Sequence, residues 1–336
     1  MTESLIEAHD ALLSDLDGVV YAGPDAIPGA IESLQKLEKY GIALGYVTNN
    51  ASRTPEQVAG HLRELGAPAT TEQVFGSAQA GAALLAERVP AGAKVLVTGS
   101  AALVREVESQ GLKVVSTAEE SPEAVIQGFD PGLGWADLAE AAFAIQAGAL
   151  WVATNTDLTL PLARGIAPGN GSLVAAVANA TGASPVVAGK PEPTLFTLAA
   201  SRLAADKPLV VGDRLDTDIL GGNQADMPTV LVLTGIDTVQ TALAARSVER
   251  PDYLIATLAG LYQPYPQIVQ DEAGWHCGQA TATVTEQRLS ITVPSQDNGQ
   301  NPDCELDGWR AGCAAWWAAL PNTEQPVMPT IDWRHG

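Results

Sequence analysis

The start of the chain alternates apolar runs with amphipathic segments, and this alternation constrains the fold more than any other feature. Ala11–Ser14 and residues 42–47 are apolar runs of strand length, whereas Ala30–Tyr40 and residues 54–65 repeat their apolar side chains at helical spacing. The connections between these segments are short. A strand, helix, strand, helix order of this kind predicts a parallel sheet covered by helices on both faces, which is an α/β fold.

The alternation is interrupted and then resumes, which predicts a discontinuous domain. A separate series of strand and helix patterns, rich in Ala and Gly, occupies residues 79–186. We therefore expect a core domain made of 1–78 and 187–268, with an α/β domain of about a hundred residues inserted in it. Residues 271–336 predict a further small αβ module, which we call the C-terminal module. Its pattern favours a hairpin, then a polar loop at 295–303, then a helix at 306–320.

Charge and composition exclude several classes of partner. Lys and Arg number 18 against 39 Asp and Glu, which gives a net charge of −21 that repels nucleic acid and anionic membrane surfaces. The sequence has neither a run of roughly 20 apolar residues nor a basic, apolar leader, so we expect a cytoplasmic protein. The three cysteines, all late in the chain, predict reduced thiols in or near a small core. An anionic substrate requires a local cation to overcome the field.

Acidic residues follow two of the apolar strands. Asp15-x-Asp17-Gly18 closes the first strand, and Asp213 to Asp218 follows an apolar run at 209–211. Taken alone, each is also compatible with a solvated acidic turn. Ligands of open α/β sheets bind at the carboxyl ends of the strands, and carboxylates crowded there repel one another unless a cation is present. A hard cation such as Mg²⁺ prefers this set of oxygen donors.

Two further strand ends carry groups that suit an anion. Thr48-Asn49-Asn50 offers hydroxyl, amide and backbone donors, although the same residues could cap the helix that follows. Lys190 follows a second apolar run and lies between Gly and Pro, whereas the ordinary alternative is a surface lysine. A lysine at a strand end is one source of the positive charge that an anionic substrate needs.

In their order and spacing these four segments resemble the four motifs of the haloacid dehalogenase (HAD) superfamily, and the long insert resembles the large α/β cap of NagD-type phosphatases. The resemblance covers roughly residues 10–265 and implies a Rossmann-like parallel-sheet core with an inserted α/β cap. It also implies that Asp15 attacks phosphorus and that Asp17 serves as acid and then base. Mg²⁺ is implied on Asp15, the backbone carbonyl of Asp17 and Asp213, with Asp218 supporting the metal's waters or the lysine.

The resemblance assigns the remaining polar groups to phosphate binding. Thr48, Asn49 and Lys190 are implied to hold the phosphoryl oxygens, and Asn50 to complete the loop. The cap is implied to choose the leaving group, with residues 155–164 facing the substrate; a plain turn at the end of a strand is the alternative for its first residues. Caps of this family often pair, so a homodimer is a further expectation.

The C-terminal module resembles an extension found on actinobacterial relatives that act on glycerol 3-phosphate, and this implies glycerol 3-phosphate as substrate. Phosphoglycolate, a sugar phosphate and a nucleoside monophosphate remain open. Two other functions also remain: a non-catalytic phosphoester-binding regulator, and a dehalogenase that attacks a carbon–halogen bond. For the C-terminal module itself we expect packing or oligomer contact and not acetyl transfer, because the single Gly312 lies within a helical pattern.

Overall fold

A computed structural model describes residues 3–162, 164–294 and 304–336. The chain forms two compact units, one made of Met1–Ala43 and Ala205–Gly336 and the other of Leu44–Ala204. These limits differ from those of the predicted core, cap and C-terminal module, which stay predictions. The predicted polar loop at 295–303 lies outside the described residues.

The described residues form strands and helices in an alternating order. The strands are β1 (Ala11–Ser14), β2 (Tyr21–Ala22), β3 (Asp25–Ala26), β4 (Ala43–Thr48), β5 (Val74–Gly76), β6 (Lys94–Thr98), β7 (Lys113–Val115), β8 (Ala124–Gln127), β9 (Leu150–Ala153), β10 (Thr159–Leu162), β11 (Gly165–Pro168), β12 (Val186–Val187), β13 (Pro208–Gly212), β14 (Thr229–Val232), β15 (Tyr253–Ile255), β16 (Ile268–Asp271), β17 (Gly274–Cys277), β18 (Ala280–Thr285), β19 (Arg288–Val293) and β20 (Thr330–His335). The α-helices are α1 (Ala30–Tyr40), α2 (Pro55–Glu64), α3 (Ser77–Ala86), α4 (Ala101–Ser109), α5 (Trp135–Gln146), α6 (Asn170–Thr181), α7 (Thr194–Arg202), α8 (Leu220–Gln224), α9 (Val239–Ala244) and α10 (Cys304–Ala319).

In the first unit, four strands pair in parallel in the order β15, β14, β13, β1. All residues of β1, β13 and β14 are buried, as expected for a parallel sheet covered on both faces. The register pairs Ser14 with Val211, so the carboxyl ends of β1 and β13 lie side by side. The predicted α/β fold with a parallel sheet is confirmed.

The C-terminal module adds a second sheet to the first unit, in the order β16, β17, β18, β19, β20. The predicted hairpin is present as β18 and β19, and β20 then pairs in parallel with β19. Helix α10 packs on this sheet through buried side chains that include Cys313 and Trp316. The predicted helix at 306–320 is therefore present, although it begins at Cys304 and ends at Ala319.

The second unit contains a parallel pair, β4 with β5, and a five-stranded parallel sheet in the order β12, β9, β8, β6, β7. Helices α5 and α6 contribute to the apolar core of the five-stranded sheet. This confirms the alternating α/β pattern that the sequence predicts for residues 79–186. A short antiparallel hairpin, β10 with β11, follows the carboxyl end of β9.

Across the three described stretches of chain, no helix combines the length and the apolar character that a membrane crossing requires.

Cys277, Cys304 and Cys313 carry free thiols, and the first and last of these are buried. Burial raises the pKa of Cys277 to about 12, so this thiol stays protonated at neutral pH. Two of the three thiols, Cys277 and Cys313, lie in the small core of the C-terminal module.

Candidate active site

Asp15 stands directly after β1, where the chain leaves the sheet. Its backbone N–H still donates to the carbonyl of Val211 at 2.9 Å, which extends the pairing one residue beyond the strand. The chain then turns, and the N–H of Gly18 donates to the carbonyl of Tyr21 at 2.9 Å. Gly18 has a φ of 77°, in the left-handed region that favours glycine. Asp17 lies in this turn with its side chain exposed.

Asp213 stands directly after β13 and is only 2% exposed. Its Oδ2 accepts a hydrogen bond from the backbone N–H of Ile236 at 2.7 Å, and its carbonyl accepts one from the N–H of Asp237 at 3.0 Å. Both donors belong to residues 233–238, which we call the β14–α9 loop. A backbone donor at the carboxylate favours the ionised form of a buried aspartate.

Asp218 is 1% exposed and lies in a single π-helical turn, Leu215–Ile219, that leads into α8. Its Oδ2 accepts a hydrogen bond from the N–H of Arg214 at 3.2 Å. The carboxylate of Asp237 accepts the N–H of Leu215 at 2.7 Å and holds the start of this turn. A Cβ at Gly212 would lie 2.1 Å from the Cβ of Asp218, so only glycine fits there.

Three carboxylates converge in this unit. One oxygen from each of Asp15, Asp213 and Asp218 lies within 4.8 Å of the other two. Negative charges this close, two of them buried, repel one another strongly unless a cation compensates. The donors are all carboxylate oxygens, which is the ligand chemistry that Mg²⁺ and Ca²⁺ prefer. The residues therefore fit a hard divalent cation, as the sequence predicted.

In the second unit, the side chain of Asn49 bonds to the backbone of Lys190 in both directions. Its Nδ2 donates to the Lys190 carbonyl at 3.0 Å, and its Oδ1 accepts the Lys190 N–H at 2.8 Å. Lys190 is 3% exposed, and its Nζ donates to the carbonyl of Val47 at 3.3 Å. The surface alternative for Lys190 is thus wrong, and two of the predicted phosphate-binding segments are joined.

The residues beside Asn49 complete a compact loop. The hydroxyl of Thr48 accepts the N–H of Asn50 at 3.1 Å, and the Asn50 side chain accepts the N–H of Ser52 at 2.8 Å. Thr54 then caps α2 by accepting the N–H of Gln57. The helix cap considered from the sequence is therefore Thr54, which leaves Thr48 and Asn50 to shape the loop.

The segment after β9 contacts the same loop. Asn155 is buried, and its Nδ2 donates to the carbonyl of Asn49 at 2.7 Å. The Nδ2 of Asn49 also lies 3.2 Å and 3.3 Å from the two carboxylate oxygens of Asp157. These contacts give Asn155 and Asp157 a role in holding the loop. Whether residues 155–164 face a substrate stays a prediction, and Ala163 lies outside the described residues.

The sequence reasoning missed the β14–α9 loop. Thr234 donates its hydroxyl proton to the carbonyl of Gly18 at 2.7 Å, while Ile236 and Asp237 bond to Asp213 as described above. A signal was present, because Thr234-Gly235 directly follows an apolar strand, as the four recognised segments do. The absence of a paired acid or a lysine made this strand end easy to pass over.

The chain is similar in sequence and in structure to known hydrolases. The family described as haloacid dehalogenase-like hydrolase matches residues 12–113, and a second family, described as HAD-hydrolase-like, matches residues 187–261. The chain is 48% identical over 284 residues to D-glycerol 3-phosphate phosphatase of Mycobacterium tuberculosis, covering 84% of this chain and 80% of that protein. It is 39% identical over 237 residues to an acid sugar phosphatase of Staphylococcus aureus, covering 70% and 90%. A crystal structure of glycerol phosphate phosphatase from M. tuberculosis in complex with magnesium superposes with a TM-score of 0.87 at 42% identity, covering 99% and 95%.

Proposed function

The chain belongs to the haloacid dehalogenase-like hydrolases, and we propose that it is a magnesium-dependent phosphatase that hydrolyses glycerol 3-phosphate. The observation that carries the proposal is the convergence of Asp15 and Asp213, at the ends of two parallel strands, with Asp218 from the turn before α8. The similarity to the mycobacterial phosphatase supports the choice of substrate. The similarity to the staphylococcal sugar phosphatase makes a sugar phosphate the second candidate.

Asp15 and Asp213 would hold Mg²⁺ together with the backbone carbonyl of Asp17, while Asp218 would support the metal's waters or Lys190. When bound, the cation neutralises charge on the carboxylates and on the phosphoryl group. The oxygen donor set described above supports this assignment, as does the magnesium complex of the mycobacterial relative. The hydrogen bond from Ile236 fixes one oxygen of Asp213 and orients its carboxylate.

Asp15 is the proposed nucleophile. Its carboxylate oxygen forms a bond to phosphorus as the ester P–O bond breaks, and Asp17 gives a proton to the departing alkoxide. Water then attacks the phosphorus of the aspartyl-phosphate and gives a proton to Asp17 as the bond between phosphorus and the Asp15 oxygen breaks, so inorganic phosphate and a free Asp15 carboxylate remain. The exposed position of Asp17 supports a group that must reach the leaving oxygen and then water.

Lys190 and Thr48 are proposed to hold the phosphoryl oxygens. Lys190 supplies positive charge in a chain of net charge −21, where a dianionic substrate would otherwise be repelled. Because the side-chain amide of Asn49 is engaged with the Lys190 backbone, we assign Asn49 a contribution through its backbone N–H and through the orientation of Lys190. Asn50 completes the loop through its bonds to Ser52.

The insert at 79–186 is proposed to act as the cap that selects the leaving group, on a core made of 1–78 and 187–268. Its five-stranded parallel sheet supports the assignment to an independent α/β layer. A homodimer, a cytoplasmic location and the absence of nucleic-acid partners remain expectations from the sequence. Light scattering would test the homodimer, and fractionation of cells would test the location.

The test is phosphate release from a panel of glycerol 3-phosphate, phosphoglycolate, a hexose phosphate and a nucleoside monophosphate, with Mg²⁺ and with chelator. We expect release that needs Mg²⁺ and is fastest with glycerol 3-phosphate. Asp15→Asn should lose about 10⁴-fold in kcat, whereas Asp25→Asn, at an exposed position in β3, serves as the matched control.

Each other result would support a different conclusion. Faster release from another ester keeps the mechanism and replaces the substrate. Full activity of Asp15→Asn eliminates the proposed nucleophile. Activity on halogenated acids that resists chelation favours the dehalogenase, and binding of esters with no release from any of them favours a regulatory binding protein.

A further inference from the structure

The six-residue helix α9 connects the carboxylate cluster to the C-terminal module. It directly follows the β14–α9 loop, whose Ile236 and Asp237 donate their backbone N–H groups to Asp213. A helix of six residues is not stable through its own hydrogen bonds and depends on packing against other elements. Whatever packs on α9 therefore helps to fix the position of the loop, together with the bonds that Thr234 and Asp237 make to Gly18 and Leu215.

Trp317 of α10 contacts the end of α9. Its indole Nε1 donates to the carbonyls of Ala242 and Leu243, both at 3.2 Å. Carbonyls in the last turn of a helix have no partner within the helix, and the indole gives the Leu243 carbonyl a donor. The Ala242 carbonyl also accepts the backbone N–H of Ala245 at 3.2 Å. The link is side chain to backbone and does not depend on the residue types at 242 and 243.

Arg250 contacts Trp317 and the end of α10. Its guanidinium donates to the carbonyls of Trp317 at 3.4 Å and Leu320 at 2.6 Å, and lies 5.7 Å from the centre of the Trp317 ring. Arg250 comes from the segment before β15, so the end of α10 is fastened to the parallel-sheet part of the same unit. Burial lowers the pKa of Arg250, and its stacking on the ring and its bonds to the carbonyls compensate the buried charge.

The apolar packing is continuous through the same region. Leu215 and Ile219, in the turn that carries Asp218, belong to one hydrophobic cluster with Leu243 of α9 and with Leu289 and Trp316 of the C-terminal module. The module thus shares a core with the segment that presents the metal-binding carboxylates. The indole of Trp316 donates to the carbonyl of Val327, which joins α10 to the segment between α10 and β20.

We propose that the C-terminal module holds the β14–α9 loop against Asp213, with Trp317 as the positioning residue, and so raises the affinity of the site for Mg²⁺. The proposal rests on the proposed function only for the identity of the metal. It gives the module a role in the same reaction, through α9, and makes acetyl transfer unnecessary to explain its presence.

The test compares Trp317→Phe with Trp309→Phe in the full chain. Trp309 packs on Trp333 inside the module, with ring centres 4.9 Å apart, and makes the second variant a matched control. Mg²⁺ binding is measured by calorimetry without substrate. Hydrogen exchange of peptides covering 233–244 is measured on the same samples, at a temperature where all are folded.

We expect Trp317→Phe to raise the Kd for Mg²⁺ by about three- to tenfold, somewhat less than the losses seen when direct partners of metal ligands are removed. Exchange at 233–244 should be faster in this variant, and Trp309→Phe should change neither quantity. Wild-type values of both quantities in Trp317→Phe, or equal changes in the two variants, would overturn the proposal.

If Trp317→Phe does not fold, Arg250→Met replaces it, because this change removes the bonds to the end of α10 and is expected to give the same two effects. If the wild-type protein binds no Mg²⁺, the metal assignment of the proposed function fails. The exchange comparison then still decides whether the module holds the loop.

Discussion

Replacing Gly235 by alanine would place one methyl group against the carboxylate cluster. A Cβ at this position would lie 1.9 Å from Oδ2 of Asp213 and 2.5 Å from the Asp213 Cβ. Because ordinary contact begins at 3.4 Å, the loop or Asp213 must move by about 1.5 Å. Rotation of the Asp213 side chain cannot relieve the contact, since its Cβ is itself too close.

A displacement of this size should be costly for catalysis. A misplacement of about 1 Å in a catalytic arrangement can cost about a hundredfold in rate, so we expect kcat/KM for glycerol 3-phosphate to fall by about that factor. The Kd for Mg²⁺ should rise, because Asp213 is a proposed ligand. Steady-state phosphate release over a range of Mg²⁺ concentrations measures both effects.

The matched control is Gly60→Ala in helix α2. The nearest atom that a Cβ at Gly60 would meet is Nη2 of Arg63 at 3.9 Å, so the methyl group fits. Alanine in place of a helical glycine should stabilise the protein by about 1 kcal/mol and leave activity unchanged. If Gly235→Ala keeps wild-type activity and Mg²⁺ affinity, the packing of the β14–α9 loop against Asp213 does not control the site, and the reasoning is refuted.

Three further predictions concern other parts of the chain. Asn49→Ala removes both bonds to the Lys190 backbone and should lower kcat/KM by about a hundredfold with an unchanged circular dichroism spectrum; a wild-type value would show that Lys190 is held by other contacts. Arg310→Met leaves the carboxylate of Asp307 buried without the guanidinium that now lies 2.7 Å away, and should cost about 3–5 kcal/mol in urea unfolding. The double variant with Asp307→Asn should cost less, and an equal or larger loss would contradict the buried-charge explanation. Burial lowers the pKa of His9 below its ordinary 6.5, so the unfolded chain binds the proton first as the pH falls below 6.5, and stability declines there. His9→Asn should flatten that part of the profile of melting temperature against pH, and an unchanged slope would refute this assignment.

The parallel-sheet core could be predicted because local pattern and burial agree in it. Ala11–Ser14 and Pro208–Gly212 are continuous apolar runs, as expected of strands covered on both faces. The carboxyl ends of parallel strands lie at the same edge of a sheet. The acids that follow β1 and β13, Asp15 and Asp213, therefore face the same edge, and they meet because the two strands are neighbours. The chemistry of the site was therefore readable from residue types at strand ends.

The contacts that hold the site could not be predicted in the same way. The pairing of β20 with β19 and the bonds from Trp317 to α9 join segments that have no local signal for each other. The π-helical turn at Leu215–Ile219 has no local signal either, because the backbone there follows the bonds to Asp237 and Asp218. Such choices depend on tertiary packing, which overrides local preference.

The burial of the carboxylates explains why these distant contacts matter. Asp213 and Asp218 are 2% and 1% exposed, and a buried carboxylate costs several kcal/mol unless polar partners or a cation compensate it. Part of the compensation comes from backbone N–H groups of Ile236 and Arg214, which are fixed only as firmly as the segments that carry them. The hydrophobic cluster shared with the C-terminal module anchors both segments. Metal affinity and the docking of that module should therefore change together, even though no residue of the module is proposed to touch the metal or the substrate.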